Sequence, residues 1–216
     1  MLPKRDSIRT LWTWNNGQKA VVHLVECSNG EKQIQKLYKP GFAGWMFREY
    51  LSIWYVSKWL DIIPRLVSFR PWKKELIMSY IPGQRVLEWV LEHSGQSNLD
   101  LDEFRHFQGT VRDARITEAF VRFRESSSAE VLGLKEAIKQ SYARLHRIGW
   151  QHGTSDPRNV LYDGRQAYII DFDHARPSLS PAESDYPDLA HWFGITQDCS
   201  RNAHRRVRAE YEREPQ

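Results

Sequence analysis

"LHRIGWQHGTSDPRNVLYDGRQAYIIDFDHARP", residues 145 to 177, governs how the rest of the chain is read. Within it, the apolar run after Asn159, the turn "YDGR" and the second apolar run "AYII" predict two short antiparallel strands. That hairpin carries Asn159 and Asp171 to one edge, where an amide oxygen and a carboxylate form a pair of hard ligands suited to Mg2+. The loop that feeds the hairpin is "HGTSDPRN", from His152 to Asn159, with Pro-Arg just before the Asn. Upstream, "EVLGLKEAIKQSYARLHRIG" has the apolar spacing of an amphipathic helix, with Ser128 as its cap and Gly149 just past its end.

Working outward, the first 80 or so residues read as strands around one helix. "TLWTW" and "KAVVHLVE" are strands joined by the turn "NNGQ", and "CSNGE" leads into a third strand, "KQIQKLYKP", ended by Pro40. "GWMFREYLSIWYVSKWL" repeats apolar residues at helical spacing through Trp45, Met46, Tyr50, Ile53, Trp54 and Trp59. "IPRLVSFRP" and "KELIMSYIPG" add two strands. From residue 84 the pattern turns helical: "RVLEWVLEH", then a charged segment capped by Asp100 or Asp102, then the helix above, and a last helix beginning near Asp188. The fold expected is α+β and bilobal, with residues 1–80 as a sheet-and-helix lobe, residues 81–216 as a helical lobe, and a cleft between them.

Composition agrees with an ordered globular chain of 216 residues, 41% hydrophobic and 27% charged. Its nine Trp are expected mostly in the core or lining a groove. Two distant cysteines, Cys27 and Cys199, form no metal or disulfide pattern, which points to a reducing, cytoplasmic setting. No signal sequence is evident at the start, and no apolar run is long enough to span a bilayer. The net charge of +4 suits an anionic ligand, and the basic tail "RNAHRRVRAEYEREPQ" is either a solvated helix or a site for an acidic partner or nucleic acid.

The stretch around His152 resembles the catalytic segment of the protein-kinase-like superfamily, and is most similar to its small atypical branch of lipopolysaccharide kinases, RIO kinases and Bud32-type kinases. "HG" stands where most members have His-Arg, and "DFD" where they have Asp-Phe-Gly. The resemblance implies ATP and Mg2+ as cofactors, with Asn159 and Asp171 as metal ligands and His152 in the catalytic loop. It implies Gly17 and Val22 in a phosphate-covering loop, "NNGQKAVV", that keeps only one of the family's glycines. It places Lys36 on the nucleotide phosphates with Glu49 as its ion-pair partner, although Lys39 lies nearby as a competitor. Backbone groups from Met78 to Tyr80 would meet adenine. Asp188 would steady the catalytic loop, whereas Asp173 and Asp185 receive only local hydrogen bonding. His146, His174 and His191 read as packing or surface residues.

One departure stands at the centre. The family's base Asp falls at Thr154, a poor base near neutral pH, and the nearest acid is Asp156. In an extended loop Asp156 would point to the same side as Thr154. It then either orients an acceptor hydroxyl, with Thr154 as relay, or is a turn acid before Pro157. The corresponding functions are a kinase acting on a protein, sugar or small-molecule hydroxyl, and a nucleotide-binding pseudokinase that serves as scaffold or sensor. A nucleic-acid-associated kinase is a third reading. Residues 94–128, beside the expected cleft, are the segment expected to select the acceptor.

Overall fold

The computed structural model describes residues 8–15, 17–96 and 114–196. The proposed caps at Asp100 and Asp102, most of the 94–113 stretch and the basic tail lie outside these residues.

Five strands, β1 (Arg9–Trp14), β2 (Ala20–Glu26), β3 (Lys32–Tyr38), β4 (Leu66–Arg70) and β5 (Glu75–Ser79), make one antiparallel sheet in the order β1-β2-β3-β5-β4. The β2–β3 turn closes through Gly30, whose φ of 81° fits the Asn-Gly signal. Between β3 and β4 runs helix α1 (Ala43–Val56). Met46, Glu49, Ser52, Ile53 and Val56 form its buried face. Phe47, Leu51, Trp54 and Tyr55 form a second apolar stripe, rotated to the opposite side and exposed.

That second stripe corrects the expectation for tryptophan. Trp12, Trp54, Trp59 and Trp72 are exposed, and only Trp89 and Trp150 are buried. Helical spacing alone cannot say which of two apolar stripes meets the core, and here Met46 and Ile53 occupy it.

The C-terminal region is largely helical: α2 (Val86–His93), α3 (Ala114–Glu125), α4 (Ala129–Arg147) and α5 (Pro181–Phe193). Ser128 caps α4 by accepting from the Val131 amide, and Gly149 follows its end at φ 76°. The buried side of α4, including Val131, Leu134, Ile138, Tyr142 and Leu145, has the i, i+3, i+4 spacing read from the sequence.

Short strands complete this region. β6 (Gln84–Arg85) pairs with β8 (Val160–Tyr162), which pairs with β9 (Ala167–Ile169), and β7 (Trp150–Gln151) pairs with β10 (Arg176–Pro177). Buried residues from both halves, among them Ile53, Leu76, Leu134, Ile169 and Phe172, belong to one cluster.

Helix α5 begins earlier than expected, at Pro181 rather than near Asp188. Pro181 sits in its first turn, where a missing N–H costs nothing. Pro187 lies inside the helix and reads from sequence as a boundary. Among the described residues, no helix is long and apolar enough to cross a membrane. The antiparallel sheet with its helix, followed by a helical region, is consistent with a bilobal kinase-like arrangement.

Candidate active site

Three elements converge on Lys36. On β3, Lys36 lies directly opposite Val22 on β2 and Leu76 on β5, and Ile34 lies opposite Met78. Cross-strand partners share a sheet face, so Val22, Ile34, Lys36 and Met78 all belong to one face. From that face Lys36 Nζ donates to Glu49 Oε1 of α1 at 2.7 Å and to Asp171 Oδ1 at 2.7 Å. Asp171 lies 135 residues further along the chain. Glu49 is fully buried, and its other oxygen accepts from the Tyr38 hydroxyl. Lys39, the competing lysine, instead donates to the Gly17 carbonyl at 2.7 Å.

The charges of this cluster depend on one another. Burial pulls the Lys36 ammonium down, but Asp171 and Glu49 more than reverse that and raise it well above its ordinary value. Burial raises the Glu49 carboxyl, with Lys36 opposing. Burial also pushes Asp171 up, yet the field and hydrogen bond of Lys36 outweigh it and hold this carboxyl at about 2. Asp171 is therefore ionised at neutral pH.

Asp171 has a φ of 64°, in the left-handed region where non-glycine residues are uncommon. Its neighbours hold it there. Ile170 N donates to Asn159 O at 2.9 Å, and His152 Nε2 lies 2.9 Å from Ile170 O and 3.1 Å from Asp171 O. His152 Nδ1 faces Thr154 O at 2.8 Å. The ring is wholly buried, so it ties the loop at 152–159 to the segment at 170–171 and does not line the cleft.

Asn159 lies at the same end of the hairpin as Asp171, its carbonyl accepting from the Ile170 amide at 2.9 Å, as the hairpin signal requires. Its amide nitrogen donates to Thr154 O at 3.3 Å, which leaves Oδ1 without a hydrogen bond among the described residues. Asp171 Oδ2 is likewise without one. An amide oxygen and a carboxylate oxygen are donors of the kind Mg2+ takes, with its remaining ligands coming from phosphate and water. They are not a cage by themselves: among the described residues no group of three or more His, Cys, Asp or Glu could hold a metal.

The loop is anchored from below by Asp185 of α5. Its Oδ2 accepts from the His152 amide at 2.8 Å and faces His146 Nε2 at 2.9 Å, while Oδ1 accepts from the Gly153 amide at 2.8 Å. Burial raises this carboxyl, and the bonds from His146, His152 and Gly153 more than offset that, so it stays below the usual carboxylate range. The anchoring expected of Asp188 is thus made chiefly by Asp185, one helical turn earlier. Asp188 accepts only from the Ser155 amide, at 3.2 Å. Misplacing the start of α5 concealed this, because Asp185 and Asp188 share a face only if the helix already runs through both.

Gly153 explains "HG" physically. Its φ is 82°, and an added Cβ would lie 2.9 Å from the His174 carbonyl oxygen. Gly153→Ala is expected to destabilise the fold by about 1–2 kcal/mol, from the positive φ and the backbone clash together. Chemical denaturation would show this as a lower midpoint with an unchanged slope. An unchanged midpoint would mean that the two segments do not pack this closely.

Asp156 does not stand free. It caps the 3-10 turn at Pro157–Asn159 by accepting from the Arg158 amide at 2.8 Å, and its oxygens also accept from Arg158 Nε at 2.8 Å and Nη2 at 2.7 Å. Those bonds, more than any other influence, push the Arg158 guanidinium up, with a smaller contribution from the field of Asp171. The turn-acid reading of Asp156 therefore matches its observed bonding. Thr154 contributes its carbonyl to His152 and Asn159.

At the end of β5 the Ser79 amide donates to Arg65 O at 2.8 Å, and in the linker that follows the Tyr80 amide donates to Lys32 O at 3.4 Å. Ile81 N is the first linker amide without a hydrogen bond among the described residues.

A strand lysine bridged to a helix glutamate and to the Asp of an Asp-Phe-Asp segment, above a loop held by a helix carboxylate, is an arrangement of the kinase-like class. The model of the lipopolysaccharide kinase (Kdo/WaaP) family matches residues 122–209, so a domain of that family is detected over this part of the chain. The match supports a kinase-like activity in broad terms. A comparison with curated proteins finds no match.

Proposed function

We propose that this chain is an atypical small kinase that transfers the γ-phosphoryl group of ATP to a hydroxyl acceptor. The observation that carries this reading is the bridge from Lys36 to both Glu49 and Asp171, which joins β3, α1 and the hairpin end at 2.7 Å each. In this reading residues 1–80 cover the nucleotide and residues 81–216 carry the catalytic and metal-binding loops. Lys36 contacts the phosphates, Gly17 and the rest of its loop lie over them, and Val22 packs on adenine. The linker from Met78 to Tyr80, extended to the Ile81 amide, meets the adenine edge.

Asn159 Oδ1 and Asp171 Oδ2 would hold Mg2+, which when bound neutralises charge developing between the β- and γ-phosphates. Asp156 accepts the acceptor's hydroxyl proton as that oxygen bonds to the γ-phosphorus and the bridging bond to ADP breaks. For this the carboxylate must give up part of its fork with Arg158, whose guanidinium then offsets the negative charge beside the phosphate. The family description makes a sugar hydroxyl of a lipopolysaccharide the first acceptor to test.

A second reading, a nucleotide-binding pseudokinase, is favoured by that same fork, because Asp156 is already fully engaged. Magnesium-dependent ATP turnover separates the two. Asp156→Asn is expected to slow turnover by about 10²-fold or more, in the range typical of a lost general base. Thr154→Asp should then add little. A wild-type protein that binds Mg-ATP yet turns it over no faster than Asp171→Asn, or a large gain in Thr154→Asp, would favour the pseudokinase.

A further inference from the structure

Before β2 the described residues Gly17–Lys19 hold a single glycine, and it is tightly packed: a Cβ on Gly17 would collide with the Ala20 carbonyl oxygen. Two of the ties on this loop come from Lys39, whose amide donates to Lys19 O at 2.8 Å and whose Nζ donates to Gly17 O at 2.7 Å. Both stay within the N-terminal half, beside the ends of β2 and β3. A third crosses to the other half of the chain. Lys19 Nζ donates to Asp173 Oδ2 at 2.6 Å, lies 3.0 Å from His174 Nε2, and sits 3.8 Å from the centroid of the Trp45 ring.

Asp173 is nearly buried, so its carboxylate needs a cation: Lys19 reaches Oδ2 at 2.6 Å, while the His174 ring lies 3.6 Å from Oδ1. Trp45 and His174 pack edge to face at 4.7 Å and enclose the ammonium on its other sides. The family's DF(G/D) position thus carries two carboxylates, each held by a different lysine: Asp171 by Lys36 of β3 and Asp173 by Lys19 of the loop before β2.

We propose that Lys19 is a positioning residue for the nucleotide's phosphates, acting through Asp173. It straps the covering loop down over Asp171 and so replaces, by an ionic tie, the close approach that extra glycines would give. This rests on the kinase reading above. Because the strap acts on the loop and not on the linker after β5, its loss weakens ligands that carry phosphates and spares adenosine.

Calorimetric binding of ATP, ADP and adenosine to the full chain tests this. Lys19→Met is expected to weaken ATP and ADP by about tenfold, the worth of one lost charge-assisted bond, with adenosine unchanged. Asp173→Asn, measured without magnesium, should weaken ATP similarly, and Lys19→Arg should retain most of the affinity. Thermal melting of each variant separates loss of the strap from loss of the fold, and a poorly folded Lys19→Met leaves the decision to Asp173→Asn. Unchanged ATP affinity in both variants, or an equal loss for adenosine, overturns the strap while leaving the kinase reading intact. An effect of Lys19→Met that Asp173→Asn does not share overturns the route through Asp173. A wild-type chain that binds no nucleotide removes the kinase reading and this inference together.

Discussion

Asp171→Asn is expected to reduce magnesium-dependent ATP turnover by on the order of 10²–10³-fold while leaving the fold in place. Asn tolerates the left-handed conformation that Asp171 adopts at φ 64°. Its amide oxygen can still accept from Lys36, so the local geometry survives. What disappears is the negative charge on the oxygen that faces away from Lys36, and with it the strongest proposed ligand for Mg2+. Binding should shift the same way: the preference for Mg-ATP over metal-free ATP, read by calorimetry, should collapse. A variant with wild-type turnover would remove Asp171 from the reaction.

The charge state behind this prediction can be tested separately. With the Asp171 carboxyl held at about 2, chiefly by Lys36 against the opposing effect of burial, Lys36→Met should let it rise. Carbon-13 NMR of the carboxyl would read that directly. The sign for stability follows from a folded value below the unfolded one. The contribution of Asp171 is present above about pH 4, the ordinary range of an Asp carboxyl, and fades as pH falls through its folded value.

Asp185→Ala is expected to be the most destabilising single change, at about 3–5 kcal/mol, because it strips the partner from several buried groups at once. The amides of His152 and Gly153 and the ring of His146 would all lose the carboxylate they share. For a chain of this size that corresponds to a melting point lower by roughly 10 °C. Asp185→Asn keeps one good acceptor and should lose about half as much. A melting point for Asp185→Ala within a degree or two of wild type would mean the loop at 152–159 is held by something else. Asp188→Ala makes the contrast, since it removes one 3.2 Å bond from the Ser155 amide and should cost about 1 kcal/mol.

Much of this architecture was legible because it rests on local rules. The hairpin between Asn159 and Asp171, the cap at Ser128, the end of α4 before Gly149 and the turn at Gly30 each follow from residue types within a few positions of one another. The pairing of Lys36 with Glu49 was also accessible, because an acid among apolar helix positions needs a cation. Other features were hidden for identifiable reasons. Pro187 disguised the start of α5 and so moved the loop anchor from Asp185 to Asp188. The two apolar stripes of α1 gave no sign of which would be buried, which left Trp54 misjudged, and α1 ends at Val56, before Trp59. Nothing near Lys19 marks it, since its partners at Asp173 and His174 lie more than 150 residues away.

The residues from 145 to 177 carry in their spacing the hairpin from Asn159 to Asp171 and the end of the helix before it, because strand alternation, turn chemistry and helix capping act over short distances. The pairings between distant elements are a different kind of fact. The bridge of Lys36 to Asp171 and the ion pair of Lys19 with Asp173 depend on where separate elements come to rest. Buried charges choose partners by proximity in the folded chain and not by order along it, so only the packed molecule assigns them.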